Sequence, residues 1–473
     1  MIMAALCRIT GRSIIKRIAP GELHGNAEFA GEILTPLAKI GYHRHFVHPH
    51  PILAENGPRM HLKTLIRYPI DIRRARRMLA SRPDALLHPS LRSTDSGVGT
   101  GGRPVVLDLT TTDLLIDCGR HLMTLACWAQ AIGSPFSIRC SRLILSAVAR
   151  KIHGRELLSE TAVRWLDPSS TDRENQIPAG ALVLCDAEPT ASRVGNHLDS
   201  GVTRLQMLIG RDIDRSIPVM PYPMHPATLQ QLATTDLESL RATPRRCGVF
   251  FAGNQKRKYG DDKMQHEFGV VPRLELLQTL KQNFAPHIAT RPCDDDATCP
   301  RGLPVRDRIV LVDSREHSIP ASNWLTTIAS AEFFLCCPGA AQPTCHHLIE
   351  AMSVGTIPLI EYGDRMTPPL EDDVNAVCFY GTDGLVTAID RIESMSSAQI
   401  ARLRQGAIAY YEQHLCGSRF MQALCDETID LSGGLICVPF HEHNLYDHEA
   451  VPALGRSSPP QSSPGKTRSR QVA

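Results

Sequence analysis

The sequence predicts an α/β protein in two open halves, each a sheet with helices on its faces. Three observations carry this. Short apolar runs of strand length alternate with segments of helical period, the pattern of βα units. The chain of 473 residues exceeds what one core usually serves, so two domains are expected. A proline-dense stretch, IPVMPYPMHP at 217–226, then divides the run of βα units in two.

Charge and composition narrow the function classes. There are 51 basic and 49 acidic residues, a net charge of +2. That balance provides no overall attraction to nucleic acid or to an anionic membrane. Hydrophobic residues make up 42%, and no apolar run approaches the roughly 20 residues of a membrane helix. The 15 cysteines are scattered, several inside apolar segments, with no CxxC pair. They read as reduced thiols of a cytoplasmic protein. Near the start, Arg8, Arg12, Lys16 and Arg17 interrupt the apolar positions, so a secretory signal is not expected. A soluble protein follows, with peripheral membrane association left open and no nucleic-acid partner.

Residues 1–103 have the weakest patterns. Helical periodicity runs over 27–40 and 65–80, and 92–104 is a Ser, Gly, Thr and Arg-rich linker. His43, His45, His48 and His50 are interrupted by Pro49 and lack a cysteine or carboxylate set, which favours a solvated loop over a metal tract. The first half, 104–240, opens with VVLDL from Val105, then TTTD and an amphipathic segment over 114–132. Strand runs at 136–140, 181–185 and 205–209 and helical patterns at 143–152 and 227–242 complete it.

The second half, 241–432, begins with CGVFFA at 247–252, a run suited to a strand buried on both faces. Gly253-Asn254 breaks it, a basic loop follows, and Pro272 suits the first turn of a helix in which Leu274, Leu277 and Leu280 share a face. Further strands are expected at 309–312, 333–337, 357–360 and 376–380, with helices at 323–330, 385–392 and 398–414. Residues 433–473 read as a tail, largely disordered after 450.

Most of the chemistry lies in 333–361. A strand breaks at Pro338-Gly339 and loops into a short helix that Thr344 is placed to cap and Gly355 to end. Ligands of open α/β sheets sit beyond the carboxyl ends of strands, and a helix N-terminus offers free N–H groups and a positive dipole to phosphate. Glu350, one to two turns inside, suits hydrogen bonds from ribose or sugar hydroxyls. A carboxylate with a purely structural role fits the same position.

From Trp324 to about His414 the chain resembles the exostosin-like glycosyltransferases. The shared pattern is an aromatic-bearing helix ending in Ser, a strand with Phe, Pro-Gly, a variable loop, a helix with Glu-Ala, and Gly-x-Ile-Pro entering a strand. Here these are Trp324, Ser330, Phe333, Pro338-Gly339, Glu350-Ala351 and Gly355-Thr356-Ile357-Pro358. Phe250 to Asn254 is similar to the first strand and turn of the same domain, so the resemblance spans 247–414. It implies the GT-B fold, two Rossmann-like domains facing each other across a cleft. It also implies a nucleotide diphosphate sugar held mainly by the second domain and an acceptor facing the first. One departure stands out: many relatives carry an arginine where this chain has His346 and His347.

The expected activity is transfer of a sugar from that donor to a hydroxyl of a polysaccharide, glycan or glycolipid, with inversion. No cofactor or metal is expected, the sugar nucleotide being a substrate. Donor-binding candidates are Gly253, Asn254, Arg257 and Lys258 after the first strand of the second half, and Pro338, Gly339, Thr344, His346, His347 and Glu350. The cations suit a diphosphate, although a solvated basic loop is the simpler reading. Glu361 is a weaker candidate. Inverting transfer needs a general base, for which Asp108, Asp113 and His225 are candidates, each also readable as structural. Two alternatives remain: a non-catalytic sugar-nucleotide-binding or scaffold protein of the same fold, and a metal-dependent GT-A transferase using Asp212 and Asp214 of a DxD sequence. The acidic run between Cys293 and Cys299 reads as an exposed turn, His441-Glu442-His443 lacks zinc-binding i, i+4 spacing, and Cys118 reads as packed.

Overall fold

The structure is a computed structural model that describes residues 62–80, 102–160, 162–187, 201–209, 217–232, 234–292 and 302–439. The helix α1 (Leu62–Ala80) places Ile72 and Ala75 in the first core. Next come β1 (Val105–Leu109), α2 (Arg120–Ala131), β2 (Phe136–Cys140), α3 (Arg142–Arg150), α4 (Ile152–Glu160), β3 (Val163–Leu166), β4 (Leu182–Cys185) and β5 (Thr203–Leu208). All five residues of β1 are buried, as its apolar run requires. The helix after it starts at Arg120 rather than at 114. Asp117, Cys118 and Gly119 have φ of 44°, 59° and 83°, a left-handed turn through which a right-handed helix cannot propagate. Cys118, expected to pack, is exposed on that turn.

After the proline segment come α5 (Pro226–Leu232) and α6 (Leu237–Arg241), where one helical pattern was expected. The second half contains β6 (Cys247–Gly253), α7 (Lys263–Phe268), α8 (Arg273–Asn283), β7 (Ile288–Ala289), β8 (Ile309–Asp313), α9 (Ala321–Ala329), β9 (Ala331–Cys336), α10 (His346–Ser353), β10 (Ile357–Ile360) and β11 (Val377–Cys378). It continues into α11 (Gly381–Ser394), α12 (Ser397–Tyr410) and α13 (Gly417–Cys425), and the chain then forms β12 (Leu435–Cys437). Alternate residues of β6 enter different cores: Phe250 and Ala252 on one face, Val249 and Phe251 on the other. Both faces of this sheet are therefore covered, which explains the unbroken apolar run.

Two six-stranded sheets result, in the orders β12-β5-β4-β1-β2-β3 and β11-β10-β9-β6-β8-β7. Their strand pairs are parallel. In the first sheet the chain works outward from β1 through β2 to β3, and in the second it passes from β6 to the edge strand β7 and then fills in β8; each then crosses to its first strand's other side. The resulting switch points lie between β1 and β4 and between β6 and β9, the places where open sheets leave a ligand crevice.

The stretch after 432 was expected to be a tail, yet β12 is the edge strand of the first sheet. A three-residue strand has no periodicity to read, and its partners, Gln206 to Leu208, lie far back in the chain. The proline segment is anchored beside it: Cys437 N–H donates to the Pro218 carbonyl at 2.8 Å and Met220 N–H to the Cys437 carbonyl at 2.9 Å. Tyr222 and Met224 are buried, so the prolines form a packed strap between the halves. Helix α13 also returns to the first core through Met421 and Leu424. A Cβ on Gly417 would stand 1.8 Å from Trp128 Cε2 of α2. Gly417→Ala is accordingly expected to destabilise the first half by about 1–3 kcal/mol through overpacking, read as a lower denaturant midpoint.

Candidate active-site cleft

A cleft of about 510 Å³ lies between the halves. The loop after β1 contributes Asp117 and Arg120, and the strap contributes Tyr222 and His225. The second half contributes Gly253, Asn254 and Lys258 after β6, the loop from Gly339 to Cys345 after β9, and His346, His347 and Glu350 of α10. These loops follow carboxyl ends of strands at the two switch points, as the topology requires.

Arg273, the first residue of α8, joins the two strands that flank the second switch point. Its Nε and Nη2 donate to the Pro338 carbonyl at 3.2 and 2.8 Å, and Nη1 to the Asn254 carbonyl at 3.0 Å. The guanidinium also lies 3.9 Å from the Tyr259 ring centroid, a cation–π contact. In the loop beyond, a Cβ on Gly339 would stand 2.6 Å from the Gln342 carbonyl oxygen, so the turn admits no side chain there. Gln342 Nε2 donates to the Tyr222 hydroxyl at 2.7 Å, tying the loop to the strap.

Helix α10 begins one residue later than expected. Cys345 is its N-cap and makes no side-chain capping bond, so Thr344 lines the cleft without capping. The first N–H groups of α10, beginning at His346 and His347, therefore remain available to an anion. Gly355 ends the helix at φ 71°, as expected.

Glu350 is fully buried. One carboxylate oxygen accepts from His225 N–H at 3.0 Å and the other from Trp324 Nε1–H at 2.7 Å. Thr228 adds a further hydrogen bond, while burial pushes its pKa up. Three donors from the fold itself leave Glu350 little of a carboxylate's four-site acceptor capacity for a ligand hydroxyl.

Histidines form a contiguous band along the cleft. His225 lies 5.6 Å from both His153 and His346, and His346 lies 4.2 Å from His347, between ring centroids. Burial, then the neighbouring His347 and Arg120, hold His346 well below its ordinary pKa. Burial outweighs Glu350 at His347 and lowers it to about 4. His225 is solvent-exposed by surface area, yet the surrounding protein and then His153 lower its pKa, to about 4. Its Nδ1 also accepts from Ala227 N–H at 3.3 Å, so the lone pair that a general base would use is engaged.

Comparison with known proteins returns likeness of fold alone. No protein-family model matches the chain, and no curated protein matches it. An α-glucosyltransferase solved with UDP and a 13-mer DNA aligns at 12% identity, covering 69% of this chain and 100% of that one, with a TM-score of 0.34. HepE of Anabaena, solved with UDP and glucose, aligns at 10% identity over 70% and 100% of the two chains, with a TM-score of 0.34. WaaG, a glycosyltransferase involved in lipopolysaccharide biosynthesis, aligns at 11% over 69% and 99%, with a TM-score of 0.31. Two separate parallel sheets, each with its switch point at the shared cleft, decide the architecture. The fold is GT-B. The GT-A alternative is thereby set aside, and Asp212 and Asp214 lie outside the described residues. So do the histidines at 43–50, the segment from Cys293 to Cys299, and His441 and His443.

Of the sequence candidates, His225, Gly253, Asn254, Lys258, Gly339, Thr344, His346, His347 and Glu350 line the cleft. Asp108, Asp113, Arg257 and Pro338 do not. Asp108 is buried against its register partner on β2, with Arg139 Nη1 at 2.9 and 3.0 Å from the two carboxylate oxygens. Asp113 and Arg257 are exposed, and Pro338 serves through its carbonyl. Glu361 accepts from Val271 N–H at 2.8 Å and Gly381 N–H at 2.9 Å, a structural use. Asp117, Arg120, Tyr222 and Arg273 were missed. Their positions in the cleft depend on tertiary packing, and the one local signal, Gly119 before Arg120, is weak.

Cys345, His346 and His347 bring three ligand atoms within 4.8 Å of one another. That donor set suits a zinc-type ion rather than magnesium or manganese. No described helix is long and apolar enough to cross a membrane. Because His346 and His347 are neutral in the fold, an unfolded chain with ordinary histidines binds more protons below about pH 6.5. Stability is expected to fall as pH drops from 6.5 towards 5. The His346→Gln, His347→Gln double variant should make that slope shallower in denaturant titrations, with His121 and His225 supplying the remainder.

Proposed function

We propose that the protein is a GT-B glycosyltransferase, exostosin-like in its second half, that moves a sugar from a nucleotide diphosphate sugar to a hydroxyl acceptor with inversion. The observation that carries this reading is the uncapped N-terminus of α10, entered through the tight Gly339 loop and open to a ligand-sized cleft at a switch point. Such a helix end suits a diphosphate, and Lys258 adds a positive charge to the lining of the same cleft. The exostosin-like part draws support from Trp324 and Glu350, motif residues 26 positions apart that meet in a hydrogen bond. Glu350 acts here as a positioning residue.

In the proposed reaction the acceptor hydroxyl oxygen attacks the anomeric carbon while the bond from that carbon to the diphosphate oxygen breaks. The departing electron pair stays on the diphosphate, stabilised by the helix end, and the hydroxyl proton passes to a base. Asp117 is our candidate for that base. It is the first-half carboxylate lining the cleft, held at a left-handed φ of 44°. The acceptor is a glycan or glycolipid hydroxyl, and the reaction needs no redox cofactor.

Calorimetric titration with common nucleoside diphosphates tests the reading directly: saturable binding of at least one is expected, and binding of none would sink it. Gly339→Ala should weaken that binding by about tenfold or more, since the new methyl must displace the loop backbone. Asp117→Asn is expected to lower kcat by about 10²-fold or more while the diphosphate affinity changes little. The engaged His225 lone pair favours one second reading, a binding protein without activity. Donor binding with no transfer or donor hydrolysis across a broad acceptor panel would support it.

A further inference from the structure

Arg120 is about nine-tenths buried, yet only one of its three guanidinium nitrogens is used. Nη2 pairs with Asp117, whereas Nε and Nη1 have no hydrogen-bond partner among the described residues. Tyr222 packs against it with its ring centroid 5.7 Å from Cζ. Donors withdrawn from water without replacement destabilise a fold, and buried cations are normally saturated. Arg273, which lines the same cleft from the second half, shows the contrast, with all three nitrogens on carbonyl oxygens.

Packing holds Arg120 in this position. Gly119, at φ 83°, leads into α2, and a Cβ there would stand 3.2 Å from the Gly154 nitrogen of α4. The guanidinium lines the cleft from the first half. Its charge is felt at Cys345, the N-cap of α10, and at His346 beside it. Two idle donors of a buried cation and the uncapped N–H groups of α10 thus converge on one region from opposite halves.

We propose that Arg120 binds the diphosphate of the donor and holds it against the N-terminus of α10, so that one anion is gripped from both halves of the molecule. This rests on the donor reading above and extends it, because the grip couples donor binding to the relative position of the two halves. The pair with Asp117 uses neither idle donor, and both are shielded from water.

The test is calorimetric titration of the full chain with inorganic pyrophosphate, UDP, GDP, uridine and guanosine. Wild type, Arg120→Gln and Arg120→Lys are compared, each with a thermal unfolding curve. Arg120→Gln is expected to weaken pyrophosphate and nucleoside diphosphate at least tenfold and leave nucleoside affinity unchanged. Because the pair with Asp117 is lost, it is expected to melt below wild type, so the titrations are run at a temperature where the unfolding curves show both proteins folded. Arg120→Lys should recover part of the lost affinity. Unchanged affinity of Arg120→Gln for pyrophosphate and the diphosphate overturns the proposal, also where only transfer to an acidic acceptor suffers. If Arg120→Gln does not fold, Arg120→Lys decides by the same comparison. Pyrophosphate binding that depends on Arg120 without binding of either nucleotide would sustain the anion site and sink the donor reading, whereas a wild type that binds none of the five probes overturns both.

Discussion

The buried carboxylate of Glu350 is the interaction on which the cleft depends. It joins the strap through His225, α9 through Trp324 and α5 through Thr228, all from one position on α10. Hydrogen bonds to a charged group are worth about 1.5–3 kcal/mol each. Four segments are thereby held in one frame, and the direction in which the first N–H groups of α10 point follows from it. Glu350, read from the sequence as a ligand-binding carboxylate, thus also braces the wall of the cleft that it lines.

Besides Lys258, the cleft holds two arginines with opposite duties. Arg273 spends its donors on the Pro338 and Asn254 carbonyl oxygens, closing the ends of β9 and β6 around the switch point. Arg120 keeps two donors unspent. The histidines add hydrogen-bonding capacity rather than charge, because burial keeps His346 and His347 neutral near pH 7. An anion at this site would therefore meet the end of α10, Lys258 and Arg120 rather than an imidazolium cluster.

Much of the fold was legible. β6, β9 and β10 are buried on both faces, so they appear as unbroken apolar runs, and the strap announced itself by its prolines. β3 was missed because VRWL interrupts its apolar residues with Arg164, whose side chain reaches the Glu174 carbonyl. β12 was missed because three residues carry no period. For the site, the glycines and Glu350 were readable since turn and helix-start chemistry is local. Asp108 misled for the opposite reason: its arginine partner stands 31 residues away, in register on the neighbouring strand.

By itself, the sequence determined that the chain has two α/β halves, and it located the stretch from Phe333 to Glu361 as the place where a strand hands over to an open helix end. Those properties are written in local apolar periodicity and in glycine and proline positions. Tertiary structure alone decided which charges are satisfied. Glu350 is engaged because His225 and Trp324 fold onto it, Asp108 because Arg139 lies alongside, and Arg120 keeps two donors unpaired because, among the described residues, packing brings its guanidinium one acceptor, Asp117, and the ring of Tyr222. Whether a buried group is paired depends on residues far away in the chain, and periodicity carries no record of them.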